Sequence, residues 1–267
     1  MLIAIDVGNT QIYIGVFEGD KIKASFRRTS AAAITADELG VFIKQALREN
    51  GIDPTKINAI AISSVVPVIT RSIVHCALKY FNIKPFVVNS TVKMGLNLAG
   101  IPGASEMGAD RIADIEGALH LYPAKNVMVV DFGSANTFCA VSKDGKYLGG
   151  AISAGIGMSM NALANGTALL SNVEIKNPGK AAGMDTVTQL QAGLFYTGLA
   201  SIKEICGRLK QEVFPKDDVV IIGTGGLGRL YEDQGVFDAY IPDLVLIGLR
   251  ILAEKNKDSL STGAGCR

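Results

Sequence analysis

Short apolar runs and polar turns alternate from residue 2 onward, and a helical period appears only later. Leu2-Ile3-Ala4-Ile5 is continuously apolar, as a strand buried on both faces should be, and it ends on Asp6. Gly8-Asn9-Thr10 is a turn, after which Ile12, Ile14 and Val16 alternate with Gln11, Tyr13 and Gly15, the period of two of an outgoing strand. A third strand over Lys21–Phe26 precedes a change of period. Glu38, Phe42, Ile43 and Leu47 are spaced as on a helix, which is predicted from Thr35 to about Asn50 with Gly51 as its stop. A strand over Ile57–Ile62, a helix from Pro67 to Tyr80 and a strand over Pro85–Val88 follow, with proline suited to the helix's first turn. Met94–Met107 has no period and reads as a loop over a site or between domains. Gly108-Ala109-Asp110-Arg111 then leads into a helix through Tyr122, with Ile112, Ile115, Leu119 and Tyr122 as its apolar stripe.

The opening pattern recurs about 125 positions later: VMVVDFGSANTFCAVSKDGK from Val127 lies over LIAIDVGNTQIYIGVFEGDK from Leu2 without a gap. Asp131 falls on Asp6, Gly133 on Gly8, Val141 on Val16 and Lys146 on Lys21. The second half thus opens on strands over Val127–Asp131, Thr137–Val141 and Lys146–Ile152. A Gly/Ser turn at residues 153–157, a helix through Leu170, a loop over Lys176–Gly183 and a long helix from Thr186 to about Glu212 come next. Gly193 and Gly198 in that helix imply close packing. Val219–Ile222 is a buried strand, Gly223-Thr224-Gly225-Gly226-Leu227-Gly228 a glycine loop, and Asp243–Lys255 the last helix. A duplicated domain is the expectation, with boundaries 1–123 and 124–256 and a polar tail over 257–267, and with two acidic turns facing one cleft.

Composition narrows the classes. A chain of 267 residues, 48% hydrophobic, 19% charged and with 30 glycines describes a compact protein of two ordinary domains. A net charge of +1 offers no basic field for nucleic acid, and Arg27-Arg28 reads as a solvated strand end. No basic segment precedes an apolar one at the N-terminus, so no signal peptide is expected, and glycines interrupt the long uncharged run from Tyr147 to Val173, so neither is a membrane span. Cys76, Cys139, Cys206 and Cys266 are scattered, which predicts neither a zinc site nor a disulfide framework and fits a reducing cytoplasm.

Three places carry candidate chemistry. Asp6 at a strand's C-terminal edge, followed by a turn in which Gly8 lets amide groups approach an anion, suits the phosphates of a nucleotide. The glycine loop formally fits a dinucleotide fingerprint, but no following strand ends on an acid; letting a base or ribose lie against backbone is the better use of Gly225 and Gly226. Asp110 stands at a helix start, where the dipole favours an acid by about 0.3–1 kcal/mol. That ordinary role is the alternative to catalysis.

With both Asp-x-Gly turns and the late Gly-Gly loop, the sequence resembles the acetate and sugar kinase, Hsc70 and actin superfamily, and within it the type III pantothenate kinases. DVGNT at Asp6–Thr10, ISSVVP at Ile62–Pro67, GADRIAD at Gly108–Asp114, VVDFGSANTF at Val129–Phe138, YLGGAI at Tyr147–Ile152, Asp185-Thr186 and GTGG at Gly223–Gly226 carry the likeness in family order. The resemblance implies an α/β fold of two duplicated ribonuclease H-like domains, the actin-like ATPase fold, around a central nucleotide cleft. It also implies ATP-dependent phosphorylation of pantothenate to 4'-phosphopantothenate, the first step of coenzyme A biosynthesis, by a homodimer using Mg2+ and a monovalent cation, K+ or NH4+. Asp110 would be the general base, with Gly108, Ala109, Asp110, Arg111 and Thr186 on pantothenate, Thr186 across the dimer. Asp6, Val7, Gly8, Asn9, Thr10, Gln11, Ile12, Tyr13, Ser134, Gly225 and Gly226 would hold ATP, Asp131 the monovalent cation and Asp6 magnesium.

The second-half motif departs from the family's D-x-G-T-A-T-T-x-D: Ser134 replaces the first Thr, Asn136 the next and Cys139 the closing Asp. Ser153-Ala154 stands for Ala-Pro and Asp185 for Asn. A second reading therefore keeps the fold without the activity, as a catalytically impaired nucleotide-binding regulatory or accessory protein. A third, an actin- or chaperone-like ATPase, is disfavoured by the short chain.

Overall fold

The structure, a computed structural model, describes residues 1–257. The expected polar tail lies, apart from Lys257, outside the described residues. The chain forms two compact units, one built of Met1–Leu121 together with the chain from Leu244 onward, the other of Tyr122–Asp243.

In the first unit β1 (Leu2–Val7), β2 (Gln11–Glu18), β3 (Lys21–Thr29), β4 (Ala59–Ser64) and β5 (Phe86–Val87) form one sheet in the order β3-β2-β1-β4-β5. β1 is central, antiparallel to β2 and parallel to β4, so both its faces are covered. On one face Ile3, Ile5, Val7, Ile12 and Ile14 pack with Leu39, Ile43 and Leu47 of α1 (Ala36–Glu49) and Ile69 and Ile73 of α2 (Pro67–Phe81). Burying each such side chain contributes about 1.5–3 kcal/mol. α1 starts where Thr35 accepts the Glu38 amide and Glu38 returns a bond to the Thr35 amide, a capping box. At the end of β3 Arg27 is exposed and Arg28 half-buried; the Arg27 guanidinium lies 3.5 Å from the centre of the Tyr13 ring, and Arg28 lies over Phe42.

The other face carries small residues, Ala4, Gly15 and Ala61, beneath α3 (Ala109–Leu121) and α6 (Leu244–Lys255). These two helices cross with their backbones nearly touching. A Cβ at Gly117 would lie 2.7 Å from the Leu244 carbonyl oxygen, and one at Gly248 would overlap the Ala113 carbonyl. α3 is therefore buried nearly all round instead of along one stripe, Asp114 and Glu116 included. This placement of α6 differs from the sequence-based boundary, which put residues up to 256 in the second domain. The apolar period of α6 was legible, but periodicity does not say which sheet a helix covers.

The second unit repeats the plan. β6 (Asn126–Phe132), β7 (Ala135–Val141), β8 (Tyr147–Ala154), β9 (Val219–Thr224) and β10 (Ala239–Tyr240) form a sheet in the order β10-β9-β6-β7-β8, the same arrangement strand for strand. Met128, Val130, Phe132 and Phe138 pack against α4 (Ile156–Gly166) and α5 (Thr186–Val213), and Tyr231 stacks on Phe195 at 5.2 Å between ring centres. Of the three α5 glycines, Gly198 leaves room for the Tyr231 hydroxyl, whereas Gly193 and Gly207 face open space.

The gapless overlay of the two halves conceals a compensated shift. Val7 pairs with Ile12 across the first turn and Phe132 with Asn136 across the second, so four residues span the first gap and three the second. β7 is displaced by one residue against the sequence overlay: Cys139, paired with Val129, occupies the place of Gly15, paired with Ala4. Val141 accordingly matches Phe17 and not Val16, and the strand irregularities at Val16/Phe17 and Ala140/Val141 coincide. The next turn is longer by one, which restores the count at Tyr147.

Candidate active site

In the first unit the chemistry gathers at the C-terminal edge of β1 and β4. Asp6 is the last residue but one of β1, with Tyr13 and Ser63 beside it in register on the flanking strands. The turn after it is braced from within and from β3's end: the Gly8 amide donates to the Gln11 carbonyl at 3.0 Å, the Ser30 hydroxyl to the Gly8 carbonyl at 2.7 Å and the Ser30 amide to the Thr10 carbonyl at 2.9 Å. Because the Gly8 amide is used inside the turn, an anion there is left to the exposed rim, Asn9, Thr10 and Gln11. Ser30 and Ser63 were not singled out in the sequence. Ser63 is fully buried and its hydroxyl meets no hydrogen-bond partner among the described residues; a serine pair closing an apolar strand was the available signal.

α3 packs against β4, and its first turn carries Asp110. A Cβ at Gly108 would lie 3.6 Å from Val65, just past the end of β4, and would collide with the Asp110 Oδ1. That oxygen accepts the Arg111 amide at 2.7 Å. Burial pushes the Asp110 carboxyl above the ordinary aspartate value, against the opposing pull of the Arg111 amide and guanidinium. A desolvated carboxylate at a rigid helix end, next to an arginine, can accept a proton from a hydroxyl held there. Farther along α3, Glu116, with a side chain 0% exposed, accepts the Gly95 and Leu96 amides and pairs with Lys255. Its signal in the sequence was an acid interrupting the apolar positions of the helix.

In the second unit Asp131 is the last residue but one of β6, with Thr137 and Thr224 beside it in register. Gly225 (φ +83°) runs so close that a Cβ would meet the Asp131 carboxylate and lie 2.6 Å from the Phe132 amide nitrogen. Tyr240 holds this loop by donating its hydroxyl to the Gly225 carbonyl at 2.7 Å. The Ser134 carbonyl accepts the Gly155 amide at 3.1 Å, which ties the second acidic turn to the start of α4. Asp131, Ser134, Gly225 and Gly226 are thus neighbours in one unit, as Asp6 to Tyr13 and Gly108 to Arg111 are in the other. Thr186 is exposed at the first position of α5, and Asp185 before it caps the helix by accepting the Thr188 amide.

Among the described residues no three His, Cys, Asp or Glu side chains stand close enough to form a protein-only metal centre. The single carboxylate of Asp6 beside a phosphate-sized turn suits magnesium, which is commonly held by one or two carboxylates and substrate phosphates. Asp131 with the hydroxyls of Thr137 and Thr224 is an all-oxygen donor set, which suits a hard monovalent cation.

The comparisons with known proteins decide the family. The family model of type III pantothenate kinase matches residues 2–208. The chain belongs to the type III pantothenate kinases. A type III pantothenate kinase of Elusimicrobium minutum is 50% identical over 257 residues, covering 96% of this chain and 99% of the relative, and one of Legionella pneumophila is 46% identical over 256 residues, covering 96% and 99%. A ROK family glucokinase from Streptomyces griseus, solved with glucose and AMPPNP, superposes with a TM-score of 0.51 at 14% identity, covering 95% of this chain and 99% of that one, a likeness of fold alone. Membership makes this chain a kinase that phosphorylates pantothenate in coenzyme A biosynthesis. The fold expected from the duplicated hairpin is the fold observed, and nothing in the comparisons favours an impaired accessory protein.

Proposed function

We propose that this type III pantothenate kinase transfers the γ-phosphoryl group of ATP to the pantothenate hydroxyl with Asp110 as the general base. The observation that carries the assignment is the desolvated Asp110 carboxylate, for which Gly108 leaves the space, on the first turn of a helix buried on every side. Arg111, next in the chain, offers a planar fork to the pantothenate carboxylate, and Gly108 and Ala109 line the acceptor beside it. Asp6 to Tyr13 hold the ATP phosphates, Ser134 adds a hydroxyl, and Gly225 and Gly226 give a flat wall for base or ribose. Phosphoryl transfer requires placement and charge neutralisation more than covalent help. Bound magnesium would neutralise charge on the β- and γ-phosphates. Asp6 is its carboxylate, and Asp131 with its threonines holds potassium or ammonium.

The working form is a homodimer in which Thr186 reaches the partner's pantothenate. Support comes from the large apolar side chains left in water in the second unit: Leu169 is 93% and Met184 91% exposed, and Ile152, Met158 and Val187 add to them. A cytoplasmic location suits the buried thiols of Cys76 and Cys206, pushed up to about 11 and about 12 by desolvation. Among the described residues no helix is long and apolar enough to cross a membrane.

A coupled assay of ADP release tests the reading, run with and without pantothenate while potassium and ammonium are scanned. Release that depends on pantothenate and rises with the cation is expected. Hydrolysis indifferent to pantothenate would place the chain with the ATPases of this fold instead.

A further inference from the structure

The segment between β5 and α3 starts and ends on the same helix. At its near foot the Glu116 side chain, with no exposed surface, accepts the Gly95 amide at 2.5 Å and the Leu96 amide at 2.6 Å on Oε1, and the Lys255 ammonium at 2.6 Å on Oε2. Just past the end of α6 the Asn256 side chain reads Lys93 twice, accepting its amide at 3.0 Å and donating to its carbonyl at 2.7 Å. Leu96 is buried beside them. At its far foot the segment passes Gly108 and rejoins α3 at its first residue, Ala109, immediately before Asp110 and Arg111. Residues 97–107 therefore form an arch with both feet on α3, its two attachments, at Glu116 and Ala109, about 10.5 Å apart at the rise of a helix. The span itself is held by local turns, with Ala99 donating to Asn97, Ile101 to Leu98 and Ala104 to Ile101.

We infer that Glu116, with Lys255 and Asn256, is a positioning device for the acceptor site: it fixes where the arch leaves α3 and so where residues 97–107 stand beside Asp110 and Arg111. This deepens the pantothenate reading and rests on it. Two features separate such a device from simple helix packing. α3 and α6 already hold each other by backbone contact at Gly117 and Gly248, so the ion pair is not needed to join them. A buried carboxylate also costs several kcal/mol to desolvate, and apolar residues of the same volume often serve stability as well or better. What apolar residues cannot do is bond two successive loop amides and so set the register of a segment. Gly95 belongs to the same device, because a Cβ there would stand 2.9 Å from the Lys255 Nζ and 3.3 Å from the Glu116 Oε1.

The test uses Lys255→Met, Asn256→Ala, Gly95→Ala and Glu116→Gln in the full chain, with KM measured separately for pantothenate and ATP. Lys255 and Asn256 sit at the half-exposed end of α6, so their variants fold even where Glu116→Gln does not. The expected result is a rise of about tenfold in pantothenate KM with ATP KM within about twofold, the mark of lost acceptor binding, and recovery in Lys255→Arg, which keeps the donor. Unchanged pantothenate KM in Lys255→Met and Asn256→Ala, or equal movement of both constants, overturns the inference. Hydrogen exchange separates it from the substrate reading. If the wild-type enzyme ignores pantothenate, the reading falls on its own, while faster exchange over residues 95–107 in Lys255→Met, with β1 and β4 unchanged, still upholds the arch; unchanged exchange there removes it.

Discussion

Gly108 lacks a side chain where the Asp110 carboxylate needs the space: a Cβ on Gly108 would collide with Oδ1 of Asp110. The conformation of the proposed base is thus written two residues before it. We predict that Gly108→Ala displaces the flexible carboxylate and leaves the backbone in place. Turnover should fall at least about tenfold, since small misplacements of a catalytic group are costly, with the melting temperature nearly unchanged. Equal turnover in the alanine variant would mean that the carboxylate's present position is immaterial to the reaction.

Asp110→Asn should lower kcat by roughly 10²–10⁴ if the carboxylate is the base. Burial raises its folded pKa above the ordinary value of 3.8, so its contribution to stability is present below that ordinary value and lost as pH rises through the folded one. At pH 7 the native enzyme carries that loss and the asparagine variant does not. The inactive variant should therefore melt higher than wild type at pH 7, the gap closing toward pH 4. Thermal melts across that range check the sign, and a variant that is less stable at pH 7 contradicts it.

Gly225→Ala acts on the other unit. Its left-handed backbone costs an L-residue roughly 1–2 kcal/mol, and the new methyl meets Asp131 and the Phe132 backbone. A lower melting temperature and a raised KM for ATP are expected, with KM for pantothenate the smaller change. Calorimetry and initial-rate kinetics read both.

The homodimer is tested on its own surface. Leu169→Asp and Met184→Asp place charges on side chains already in water within the single chain, so the fold should persist while sedimentation shows the monomer. A mixture of Asp110→Asn and Thr186→Ala proteins should regain part of the wild-type rate if Thr186 serves the partner's site; a mixture as inactive as its parts argues for a site built within one chain.

Much of this was legible because the chain says it twice. The strand, acid, turn and strand at Leu2 and again at Val127 specify two sheets of equal order, and the period of α1 places its start within one residue. What escaped reading depends on contacts distant in sequence. The overlay hid a residue lost in one turn and regained in the next, because offsetting changes leave the count intact while β7 is displaced between them. Glu116 looked like a polar interruption, since its partners Gly95 and Lys255 lie far away on either side. Asp110 could be read as an ordinary helix-start acid until its burial and the space reserved by Gly108 were seen.

The return of α6 to the first sheet has a consequence for synthesis. The first unit is interrupted by the whole of the second, and the helix that covers Ala4, Gly15 and Gly117 is made after it. As the chain leaves the ribosome, the second unit can complete its contacts while the first still exposes the face of α3 that α6 will close. The first unit is then closed only after the second has been made, when Lys255 and Asn256 arrive to complete the near foot that Glu116 begins with Gly95 and Leu96.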